Sequence, residues 1–180
     1  NQLTFTWIMW EYEYFIREGT LARRLLRPLH PIWTDVADNV GYKAFTLVAL
    51  IPAVLLLTVI FRPTFATTWQ DLVLSIPAIF LAFVLRFSFE WTLAMAAFWT
   101  TRISAINQVY FVIFLFFSGA FAPLSLMPSF VQTLAWWLPF RWMLSFPLEL
   151  LLGQLTLQEI ASGLLVQTAW IVVVVGMLLT

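Results

Sequence analysis

An all-α, polytopic helical membrane protein is the fold class this sequence predicts, and three observations predict it. Hydrophobic residues fill 62% of the 180 positions and charged residues 10%, whereas a soluble domain is roughly half apolar and a quarter charged; the mean hydropathy is +0.93. Several apolar stretches approach the roughly 20 residues a helix needs to cross about 30 Å of hydrocarbon. Runs such as IVVVVGMLL, residues 171–179, show no two-residue alternation, so the spans are helices that satisfy their backbone internally and not strands of a barrel.

Residues 1–11 read as the end of a span. Residues 12–43 then hold half of the acidic and basic side chains and belong in water or at the interface. Inside them, REGTLARRLLRPLHP is helix punctuation: Gly19 closes one helix, Thr20 N-caps the next and Pro28 ends it. The short helix over 21–27 spaces Leu21, Leu25 and Leu26 helically, with Arg23, Arg24 and Arg27 between them. It is too short to stand alone and needs a surface to lie on. From Pro31 an interfacial ramp places Trp33, Val36, Ala37 and Val40 on one face and Asp35, Asp38 and Asn39 on another. It feeds a span at 44–61, kinked at Pro52.

A polar loop at 62–71, with Trp69 at headgroup level, leads to a span at 72–98, an inner turn at 99–102 and a span at 103–122. That last helix stops at Pro123. Residues 123–155 are apolar but cut by prolines, and no uninterrupted stretch there is long enough to cross. Irregular backbone at membrane depth survives only when shielded by protein or facing water. Pro123 and Pro128 therefore turn the chain near the surface, and SFVQTLAWWL and FRWMLSFPLELLLG form two short helices anchored by Trp136, Trp137 and Trp142. Thr156 and Glu159 fit a capping box that launches the last span, 156–180.

Orientation follows from Lys and Arg in short loops. Arg17, Arg23, Arg24, Arg27, Lys43 and Arg102 fall on one side and only Arg62 and Arg141 on the other. The first side is expected in the cytoplasm, with the Arg62 loop and the proline-rich segment outside. The chain opens at Asn1 and stops at Thr180 inside apolar runs, so the expectation is an internal fragment, with any targeting information outside it.

Within the 72–98 span, Arg86 and Glu90 stand four residues apart on one face, where an unpaired charge would cost several kcal/mol. They pair, either beside a translocation path or subunit interface or as a structural ion pair. Asn107 and Gln108 are placed to hydrogen-bond between helices. His30 is the single histidine and reads as a surface residue; with it and no cysteine, a multi-histidine or cysteine metal site is excluded within these residues. No G-x-S-x-G, H-E-x-x-H or phosphate-binding loop occurs, and the intramembrane Ser75, Ser88 and Ser118 have no histidine in their own spans. A net charge of zero suggests no nucleic acid.

The stretches REGTLARRLLRPLHP, AFWTTR, FFSGAFAPLSLMP and LPFRWMLSFPLELLLGQ, in this order, resemble the permease subunits of type-2 ATP-binding-cassette exporters, especially the bacterial branch of daunorubicin and multidrug resistance permeases. The resemblance implies six spans, of which the end of the second through most of the sixth are here. It makes Leu21, Arg23, Arg24, Leu25, Leu26 and Arg27 a coupling helix that docks into a separate ATPase subunit. It makes Gly119, Pro123, Pro128, Pro139 and Phe140 part of a re-entrant outer gate, and puts Arg86 and Glu90 at or near a seam with a second permease. ATP and Mg would sit on the partner ATPase, with no cofactor in this chain, and the site of action would be the bacterial cytoplasmic membrane. The rival classes are an ion-coupled secondary transporter and a non-transporting scaffold.

Overall fold

The computed structural model describes residue 4 and residues 6–61, 67–95 and 103–179. The expected loop at Arg62 and the turn at Arg102 lie outside them. Nine α-helices are found among the described residues: α1 Ile8–Arg17, α2 Leu21–Leu25, α3 Pro31–Phe61, α4 Trp69–Met95, α5 Ile103–Phe117, α6 Ser129–Trp137, α7 Pro139–Met143, α8 Ser145–Leu151 and α9 Leu157–Leu179. A 3₁₀ turn at Leu124–Leu126 precedes α6. Three helices, at Pro31–Phe61, Trp69–Met95 and Leu157–Leu178, are long and apolar enough to cross a membrane.

The organising element is α4, which packs against α1, α7, α8 and α9. Its first half meets the broken helices and α9: Gln167 donates to the Ala78 carbonyl at 3.1 Å, and Thr67, just before α4, donates to the Leu151 carbonyl at 2.9 Å. Its second half meets α1 and α2, in a small core of Ile8, Tyr12, Leu21, Phe87 and Ala94. The main core joins α4, α5 and the broken segment through Leu85, Tyr110, Phe114, Phe140, Met143 and Phe146. At the contact of α8 with α9, a Cβ on Gly163 would run into the Phe146 ring, so glycine permits this approach.

Local chemistry accounts for the helix ends. Gly19 ends α1 with φ 67°, a left-handed conformation that glycine adopts freely. Thr20 occupies the N-cap position of α2, yet its backbone is already helical at φ −79°, ψ −12°, and its hydroxyl makes no capping bond. Pro28 disfavours helical backbone at Arg27, and α2 closes at Leu25. The capping box forms: the Thr156 amide donates to Glu159 Oε2 at 2.8 Å, and the Glu159 amide reaches Thr156 Oγ1 at 3.4 Å. The second of the two short helices expected after Pro128 is divided at Leu144, where φ is −140° and ψ −58°. Pro147 explains the break, since its ring would strike the Met143 carbonyl in a continuous helix. Restarting at Ser145 puts Pro147 in the first turn of α8, where it is tolerated.

The ramp and the span after it form one 31-residue helix, α3. Trp33, Ala37 and Val40 of its predicted apolar face are exposed while Val36 packs against the small core, and of its polar face Asp35 and Asn39 are buried while Asp38 is exposed. Further along, no residue of the apolar window of α3 is buried within this chain.

Candidate functional site

Two polar clusters lie back to back on the second half of α4, and a groove opens at its other end. The first cluster centres on Asp35, whose side chain is fully buried. Tyr12 Oη of α1 donates to its Oδ2 at 2.8 Å, Arg24 Nη1 of α2 to its Oδ1 at 2.7 Å, and Trp91 Nε1 of α4 to Oδ2 at 3.1 Å. Three donors from three helices satisfy one carboxylate whose burial would otherwise cost several kcal/mol. Burial and then the adjoining Asp35 charge push the Tyr12 phenol well above its ordinary range, which keeps it a donor. The Arg24 guanidinium also lies 4.3 Å from the Phe15 ring centre and 3.4 Å from Asp38 Oδ2. Sequence reasoning set Asp35 on the polar face of a ramp and missed this role.

Arg24 therefore faces inward, as does the buried Leu21, while Arg23, Leu25, Leu26 and Arg27 are exposed. The inward side of α2 is fastened to the bundle, while Arg23 and Leu25, with Leu26 and Arg27 just after the helix, are exposed. A cavity of about 440 Å³ lies under it, lined by Tyr12, Leu21, Leu25, His30 and Trp91 among others. His30 itself is exposed.

The second cluster is the Arg86–Glu90 pair. Arg86 Nε donates to Glu90 Oε1 at 2.7 Å, and Tyr110 Oη of α5 donates to the same oxygen at 2.9 Å. Thr6 donates to Glu90 Oε2, and Arg86 Nη1 reaches Thr4 Oγ1 at 3.4 Å. The guanidinium stands 4.2 Å from the Phe114 ring centre, a favourable placement for a cation. Both side chains are turned into the chain, at 4% and 3% exposure. Asn107 is buried and its Nδ2 is 3.4 Å from the Met9 carbonyl and from Glu13 Oε2, bridging α5 to α1. Gln108 is exposed.

At the other end, α5 stops at Phe117, and Gly119 turns the chain with φ 79°. A Cβ there would meet Ser145 Oγ at 3.0 Å. Pro123 and Pro128 take extended ψ values of 133° and 147° ahead of the 3₁₀ turn and of α6. Pro139 opens α7 as its first residue, and both Pro139 and Phe140 are buried. A groove of about 530 Å³ runs between this turn and α8, with Leu124, Leu126 and Leu148 beside Gln132, Arg141 and Glu149. Arg141 Nη2 and Ser145 Oγ donate to Glu149 at 3.0 and 2.9 Å. Gln167, another residue the sequence reading missed, is fully buried and clamps this segment: its Nε2 donates to the carbonyls of Trp142 at 2.8 Å and Ala78 at 3.1 Å.

Among the described residues, no group of three or more His, Asp or Glu side chains is placed to hold a metal ion. Long apolar helices and a broken helical segment around a groove mark a multi-pass helical membrane protein. Residues 1–180 match the family model described as ABC-2 family transporter protein, and the chain belongs to that family. It is thus a permease-type membrane subunit. No curated protein and no solved structure matches it.

Proposed function

We propose that the chain is the membrane-spanning permease of an ATP-binding-cassette exporter of the daunorubicin and multidrug resistance branch in the bacterial cytoplasmic membrane, paired with a second permease and driven by separate ATPase subunits. The observation that carries the reading is α2. It is five residues long and braced by Leu21 and Arg24; its end and the two residues after it present Leu25 and Leu26, 58% and 86% exposed, between Arg23 and Arg27. Exposed leucines rimmed by cations suit an apolar groove with an acidic edge on a partner.

ATP and Mg²⁺ would be held by that partner, and closure of its subunits would push on α2 and tilt the spans. The break after Phe117 would make the segment from Gly119 to Leu151 an outer gate. Its groove, apolar along the leucines and polar at Arg141, Glu149 and Gln132, suits an amphipathic molecule on its way out.

The test is purification of the full-length protein from native membranes in mild detergent. An ATPase bearing a phosphate-binding loop is expected to come with it, and Leu25→Asp with Leu26→Asp to abolish that association without loss of permease from the membrane. Were no ATPase found, by co-purification or by crosslinking from Arg23, the permease would have no motor, and transport driven by an ion gradient or a scaffold role would replace this reading.

A further inference from the structure

The strongest unassigned feature is the Asp35 cluster. A five-residue helix holds no fixed position by itself, and two inward side chains, Leu21 and Arg24, secure α2. Arg24 ends on a carboxylate that Tyr12 of α1 and Trp91 of α4 also grip. Such charge-assisted bonds inside a protein are short and directional, and losing the acceptor strands all three donors. Trp91 directly follows Glu90, which is bonded to Arg86, to Tyr110 of α5 and to Thr6. From Arg24 to Tyr110 the contacts are thus continuous, through Asp35 and then through the backbone of residues 90–91. Contiguity alone does not establish coupling, so the proposal concerns one residue whose removal breaks the connection.

We infer that Asp35 is the positioning residue that makes α2 and the adjoining ends of α1, α3 and α4 move as one body, so that a push on α2 is delivered to the Arg86–Glu90 segment. The delivery half rests on the reading of α2 as a coupling helix; the anchoring half does not.

The experiment uses the full-length protein with its ATPase in nanodiscs. The 180 residues contain no cysteine, so spin labels are introduced at the exposed Ala22 and Gln108 and, in a second pair, at Gln108 and the exposed Leu126. Without nucleotide, the 22–108 pair should give one narrow distance in the parent protein and a broadened distribution in Asp35→Asn. Arg24→Gln, which removes the arm and leaves Asp35 its other two donors, should release α2 in the same way and serves if Asp35→Asn does not fold. A narrow distribution in either variant overturns the anchor.

With ATP and vanadate, the 108–126 distance should shift in the parent and lose that shift in Asp35→Asn, although the ATPase still co-purifies. A preserved shift would overturn delivery. If the parent binds no ATPase, the coupling-helix reading fails, while the 22–108 distance still decides whether Asp35 pins α2. A residue of merely structural importance would lower yield and docking together and would not uncouple docking from the shift.

Discussion

Replacing Glu90 by glutamine leaves Arg86 buried against the Phe114 ring without its counter-ion, a change that costs about 3–5 kcal/mol where buried pairs have been broken. Thermal unfolding in detergent should show a large drop for Glu90→Gln and a smaller one for Arg86→Met combined with Glu90→Leu, which leaves no stranded charge. Gly163→Ala forces a methyl into the Phe146 ring and should cost about 1–3 kcal/mol by overpacking, read in the same assay. The Arg86–Glu90 pair was legible because partners four apart on a helix announce themselves by spacing. Asp35 was not, because its partners lie 11, 23 and 56 residues away, and periodicity says nothing about such pairings. Gln167 was hidden for the same reason, its acceptors standing 25 and 89 residues off.

Among the elements, those with local signals were readable and those decided by packing were not. The capping box predicts that Thr156→Ala loosens the first turn of α9 by about 1 kcal/mol, measurable as faster amide exchange over residues 157–160. At the bend after α5, Gly119→Ala must hold φ 79° and crowd Ser145. The left-handed conformation alone costs about 1–2 kcal/mol, and the variant should unfold at lower temperature and be cut faster by protease within residues 118–128. The prolines announced these breaks. The division at Leu144 also had a local cause, in Pro147, but the apolar run around it masked the break. The polar face of the ramp divides, Asp35 and Asn39 turning to protein and Asp38 outward, because composition does not say whether protein or water lies beside a residue.

For the molecule as a whole, opposite ends of α4 carry α2 and the broken helices, and a sealed membrane should separate them. Cysteine introduced at Ala22 should react with an impermeant maleimide from one side of oriented vesicles and cysteine at Leu126 from the other; labelling of both from one side would overturn the proposed topology. The class was legible in composition. The way α4 links the two ends was not, since it depends on which faces meet. The Gln167 clamp constrains how such a molecule moves. One amide holds the carbonyls of Ala78 on α4 and Trp142 on α7 from its seat on α9, and the segment it grips is bracketed by two left-handed glycines, Gly119 and Gly153. The broken helices therefore cannot flap like a loose loop: an outward swing about those glycines either tears the Gln167–Trp142 bond or carries α9 along and pulls Gln167 off Ala78, and α9 becomes the frame of a door it does not itself form.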